Sequence, residues 1–121
     1  MRDNTSPTVG VLRQDRANVL AIEGDIDLHI SPAITEALDA MIKKKPDRIV
    51  IDLSRATYID SAGVAALMIA KQDVEAYGGK FFLSGVQETI RLILETSRLD
   101  RIFWIFPDAD AALAANEAWV T

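Results

Sequence analysis

Apolar residues in this chain come in short blocks, and their period changes from block to block. VGVL (9–12) and NVLAIEG (18–24) read as two strands, with the polar RQDRA between them as the turn of a hairpin. GDIDLH (24–29) then reads as a turn or loop. Ser31-Pro32 has the form of a helix start, serine as N-cap and proline at the first helical position. Ile34, Leu38, Met41 and Ile42 follow at helical spacing and give that helix one buried face. Three lysines suit its C-terminus, and Pro46 ends it. RIVIDL (48–53) is continuously apolar and β-branched, which predicts a strand central in a sheet or buried on both faces.

A second helix opens near Ser61 and closes at Gly78-Gly79, where glycine accepts a left-handed backbone. KFFLSG (80–85) is the next strand. Ser84 and Gln87 have the spacing of a capping box before a third helix with Val86, Ile90, Ile93 and Leu94 on one face. RIFWIF (101–106) gives a last strand, and Pro107-Asp108 opens an Ala-rich helix that runs through roughly residue 118. The order β-β-α-β-α-β-α-β-α predicts an α/β fold: a mixed five-stranded sheet with about four helices packed on it. The opening hairpin is antiparallel, and right-handed crossovers make the later strands parallel. The 121 residues form one domain, 1–121, with residues 1–7 as a frayed terminus.

Composition narrows the function classes. There is no cysteine, which excludes disulfides, thiolate metal sites and a cysteine nucleophile. A single histidine argues against a histidine-based metal site. The formal net charge of −5 argues against a nucleic-acid binder, which needs a basic face. No apolar run approaches the roughly 20 residues that cross a bilayer. MRDNTSPT has no apolar stretch of the kind a secretory signal needs. The expectation is a cytoplasmic protein with protein partners, no metal, no cofactor and no membrane insertion.

Candidate chemistry centres on Asp60-Ser61-Ala62-Gly63. One reading is an N-cap, since Ser and Asp side chains accept a backbone N–H of the first helical turn. The other uses the same geometry: open N–H groups and a positive dipole end can hold a phosphate. Asp60 would repel a phosphoserine at Ser61, which suits a reversible modification. The helix that follows, AGVAALMIA (62–70), has no charged residue, whereas KQDVEAYG alternates as a surface helix does. Either neighbouring helices cover its first half or its outer side is an interaction patch, with Val64 and Leu67 as candidate contacts. Asp25 and Asp27 fall near the carboxyl edge of the sheet, where α/β ligand sites gather. They read as a polar turn, or as carboxylates beside Ser61 that position it or bind a partner. A magnesium site from Asp25, Asp27 and Asp52 is a minor alternative. A hydrolase is disfavoured: the nucleophile elbow G-x-S-x-G has Ile59 at its first glycine, and only His29 is available as base. A phospho-acceptor receiver using Asp52 is disfavoured by VGVLRQ, which lacks an acidic pair, and by the opening hairpin.

Over roughly residues 8–118 the chain resembles the STAS domain family of bacterial anti-sigma factor antagonists. The resemblance is carried by IVIDLSRATYIDSAGVAALM, and supported by EGDID, GGKFFLSGV and ETSRLDRIFWIFPDADAAL. It implies a non-enzymatic module whose Ser61 is phosphorylated by a serine kinase with the ATP-binding histidine-kinase-like fold. That kinase doubles as an anti-sigma factor. The unphosphorylated form binds it and frees the sigma factor; phosphorylation abolishes binding and a phosphatase restores it. The resemblance matches Asp27 to the family's acidic position, and Asp60, Ala62 and Gly63 to residues flanking the serine. The same family includes signalling scaffolds and subunits of lipid-transport ATPases, which stand as the alternative.

Overall fold

The computed structural model describes residues 11–115. Its elements run β1 (Val11–Arg16), β2 (Val19–Ile26), α1 (Ser31–Ile42), β3 (Arg48–Asp52), β4 (Ala56–Ile59), α2 (Ser61–Ala76), β5 (Lys80–Ser84), α3 (Glu88–Thr96), β6 (Trp104–Phe106) and α4 (Ala109–Ala114). The sheet order is β1-β2-β3-β5-β6. β1 and β2 pair antiparallel, and every later pairing is parallel. The five expected strands and four helices are therefore present, in the expected mixed sheet, but β1 runs on through Arg13–Arg16, which the sequence reads as the hairpin turn, because these residues pair with Val19–Ala21.

A sixth strand was not expected. β4 lies off the main path and pairs parallel with β2, through Gly24↔Ala56, Asp25↔Tyr58 and Ile26↔Ile59. β2 accordingly runs on to Ile26, through residues read as a turn. The register shifts between Gly24 and Asp25, and Gly24 takes φ +80°, which an L side chain rarely adopts. Its N–H donates to Arg55 O at 2.9 Å, so the irregularity joins the two strands.

The sheet separates two apolar layers. On one face Leu20, Ile22, Ile49, Ile51, Phe81 and Leu83 pack with α1, α2 and α3. On the other, Val19, Val50, Phe82 and Phe106 pack with Ala109, Ala112 and Ala115. Alternate residues of β3 thus enter opposite layers, which is why RIVIDL carries no polar face. The Arg48 guanidinium donates to the carbonyls of Ala112 and Leu113, both at 3.1 Å, and to that of Ala115. It also lies over the Phe82 ring, 5.8 Å from the centroid, and so ties the short α4 to the sheet.

Helix starts differ from expectation by small but consequential shifts. Ile30, not Ser31, is the cap residue of α1, with no side-chain cap bond, and Pro32 is second in the helix. The Asp27 carbonyl accepts the N–H groups of Ile30 and Ser31 instead. Ser84 caps nothing: it ends β5 fully buried, its hydroxyl 3.5 Å from Ile51 O. α3 starts after Gln87, whose amide donates to Gly85 O. β6 is shorter than the RIFWIF run, because residues 101–103 turn. α4 ends at Ala114, with Ala115 extended, short of the expected run to about residue 118; residues 1–7 and 116–118 lie outside the described residues.

Candidate functional site

The β2–β4 ladder assembles the site. Side by side, the two strands end at Ile26 and Ile59, so the residues that follow each, Asp27 and Asp60, leave the sheet together. Asp60 N–H donates to Ile26 O at 3.0 Å, which fixes Asp60 in an extended conformation at the mouth of α2. Its carboxylate then serves two donors. Oδ1 accepts Gly63 N–H at 2.9 Å and caps the helix; Oδ2 accepts Leu28 N–H at 3.2 Å and holds the neighbouring loop.

Ser61 is therefore not the cap. It is the first helical residue, it is exposed, and among the described residues no hydrogen bond engages its hydroxyl. With Gly63 N–H taken by Asp60 and Val64 N–H by the Asp60 carbonyl, the open donors of the first turn are those of Ser61 and half-buried Ala62. Gly63 makes the closest approach in the site. A Cβ there would meet Ile26 O and Cγ2 at 2.7 Å and Ile59 Cγ1 at 2.9 Å. Glycine lets α2 start against the ends of both strands.

The acidic candidates take different places. Asp27 Oδ1 accepts His29 N–H at 3.0 Å and shapes the loop beside Asp60. Asp25, opposite Tyr58 on the ladder, accepts the Thr57 hydroxyl at 2.9 Å. Asp52 accepts Ser54 N–H and lines a separate recess of about 230 Å³ with Arg13, Glu23 and Arg55. Among the described residues no three acidic or histidine side chains gather as metal ligands. His29 is at the surface, with Nδ1 3.7 Å from Asp27 Oδ1, and makes no bond to Ser61.

Val64 and Leu67 do not face outward. They are 9% and 1% exposed and belong to the core between α2 and the sheet. The outer side of the apolar first half of α2 is Ala65 and Ile69, flanked by half-buried Ala62 and Met68. Ile69 is 56% exposed, and Leu28, on the loop that Asp60 holds, is 68% exposed. Neither was singled out from the sequence. For Ile69 the signal was present in the second half of α2: stepping back by helical turns from buried Val74 gives Ala70, Leu67 and Gly63 as inward positions.

Fold and site define a mixed α/β domain that offers a helix-start serine beside a small apolar surface, with an acidic rim. The chain belongs to the STAS domain family, whose pattern residues 9–112 match. Anti-sigma-F factor antagonist RsfB of Mycobacterium tuberculosis is 30% identical over 108 residues, covering 89% of this chain and 88% of its own. An anti-sigma factor antagonist from Mycobacterium paratuberculosis superposes with a TM-score of 0.78 at 26% identity, over 91% of this chain and 96% of that one. The unphosphorylated anti-sigma factor antagonist SpoIIAA shares the fold, with a TM-score of 0.70 at 21% identity over 87% and 93%. Its phosphorylated form, described as a Bacillus cell fate determinant, superposes at 0.64, likewise at 21% identity, over 87% and 96%.

Proposed function

We propose that this protein is an anti-sigma factor antagonist, switched by phosphorylation of Ser61. The unphosphorylated form binds an anti-sigma factor that is also a serine kinase with the ATP-binding histidine-kinase-like fold, and the sigma factor is thereby freed. Phosphorylation ends that binding, and a phosphatase restores it. The observation that carries the reading is the division of labour at the start of α2. Asp60 makes the cap, while Ser61 stands exposed, its hydroxyl unengaged among the described residues. A kinase can reach Ser61, and the fold does not depend on it. The names of the mycobacterial relatives support the partner class, and SpoIIAA, a fold neighbour, exists in both phosphorylation states.

The chemistry of the switch is electrostatic. A phosphate on Ser61 adds close to two negative charges beside Asp60, on the rim of an apolar surface. Seating that dianion in an interface strips its water, at a cost far above the gain from the apolar contacts around it. The test is a pull-down from the source cell with wild type and Ser61→Asp as paired baits. A kinase-type anti-sigma factor held by wild type and lost with Ser61→Asp is the expected result. Transport ATPase subunits held equally by both baits would overturn it.

A further inference from the structure

We propose that Leu28 is the apolar anchor of this surface, resting on the reading just given, and that it selects an anti-sigma factor with an apolar pocket rimmed by basic side chains. A lone exposed leucine is ordinary on a protein surface. What sets Leu28 apart is its backbone. Its N–H is held by Asp60 Oδ2 at 3.2 Å, and its carbonyl accepts the Ser31 hydroxyl at 3.4 Å. The residues around it close on Asp27: His29 N–H on the side chain, Ile30 and Ser31 N–H on the carbonyl. The loop is pinned on both sides of the residue whose side chain is most exposed among the large apolar ones described.

A pinned backbone presents Leu28 in one direction before any partner arrives, which lowers the ordering cost of burying it. The same carboxylate that caps α2 holds Leu28, so the anchor and Ser61 sit on one rigid mount. The exposed strip of α2 continues the surface from Ser61 to Ile69, about 12 Å along the helix. Asp27 and Asp60, which hold the loop on either side of Leu28, put negative charge beside it, and a partner with cations around its pocket complements that charge. The occupant is therefore a face of the anti-sigma factor that is apolar at its centre and basic at its rim.

The test uses the purified anti-sigma factor recovered by the wild-type bait, titrated by calorimetry against wild type, Leu28→Ala, Leu28→Met and Ser61→Asp. Leu28→Ala is expected to weaken binding about tenfold. Leu28→Met should stay within about twofold of wild type, since methionine fills a similar pocket. The loss from Leu28→Ala should persist in about 0.5 M salt, whereas wild-type binding as a whole should weaken there, because salt screens the acidic–basic border and not apolar burial. Neither Leu28 variant should move the melting temperature. Leu28→Ala binding like wild type while Ser61→Asp still fails would overturn the anchor and leave the switch standing. The reverse pattern would keep the anchor and overturn the switch. A Leu28→Ala deficit that vanishes in salt, or that follows a lowered melting temperature, would also overturn the anchor.

Discussion

Replacing Asp60 separates the two tasks of one carboxylate. Asp60→Ala removes the acceptor for Gly63 N–H and that for Leu28 N–H together. Loss of an N-cap costs about 1 kcal/mol, within a range of roughly 0.5–2. The second bond reaches an N–H on an exposed loop, which water can serve once the carboxylate is gone, so it adds only about 0.5 kcal/mol. The sum is about 1.5 kcal/mol, and for a domain of this size that lowers the melting temperature by about 6 °C.

Asp60→Asn is the informative partner variant. Asparagine caps as well as aspartate, but it has one acceptor oxygen and a donor amide. If the oxygen serves Gly63, the amide faces Leu28 N–H, donor against donor. The cap then survives and the loop comes free. Thermal unfolding followed by circular dichroism should place Asp60→Asn between wild type and Asp60→Ala. Hydrogen exchange should show faster exchange at Leu28 with the first turn of α2 still protected. An Asp60→Ala variant within about 0.3 kcal/mol of wild type would refute the cap, since that is below the least cost of losing one. An Asp60→Asn variant with Leu28 still protected would refute the tether.

Gly63→Ala gains about 1 kcal/mol in helix propensity but sets a methyl 2.7 Å from Ile26 O, a backbone atom that cannot step aside. Urea titration should show a net destabilisation of about 1 kcal/mol or more. Arg48→Ala leaves the last carbonyls of α4 without their guanidinium, and should raise hydrogen exchange across Ala109–Ala114 while β3 stays protected. Tyr77 donates to Pro46 O at 2.8 Å, and burial first, then the charge of Asp47, hold its phenol above the usual value of 10.0. Folding therefore favours the protonated phenol, so its contribution is complete below pH 10 and fades as pH climbs through the raised value. Stability measured from pH 9 upward should fall more steeply for wild type than for Tyr77→Phe, and equal slopes would refute the assignment.

β2, β3 and β5 were legible in the sequence because each buries a run of apolar residues, whereas most of β1 was not, since its polar RQDR reads as a turn. Nor was β4. Its burial runs buried, exposed, exposed, buried from Ala56 to Ile59, which matches neither the period of a strand nor that of a helix. Yet β4 is what brings Asp60 beside the end of β2. The acidic residues and Ser61 could thus be chosen by type, while their meeting could not be derived. Asp60 and Ser61 both cap well, and sequence does not distinguish adjacent candidates. The Asp60 N–H bond to Ile26 O, a tertiary contact, decides between them. Leu28 carried no signal at all, since an isolated leucine in a polar loop looks the same whether its backbone is pinned or loose.

A one-residue offset at the start of α2 matters for function. Had Ser61 been the cap, its hydroxyl would have been committed to a backbone N–H, and a phosphate there would have exchanged one cap for another. Modification and helix stability would then be coupled, and each cycle of the proposed switch would act on the fold. With Asp60 in that position, the cap is permanent and Ser61 is free of structural duty. Helix-start chemistry still favours negative charge at Ser61, because the open N–H groups of the first turn lie there. The nearby carboxylate of Asp60 opposes it. These two effects offset one another within the domain, so the free energy of the proposed modification is expressed against the partner, where seating the dianion strips its water.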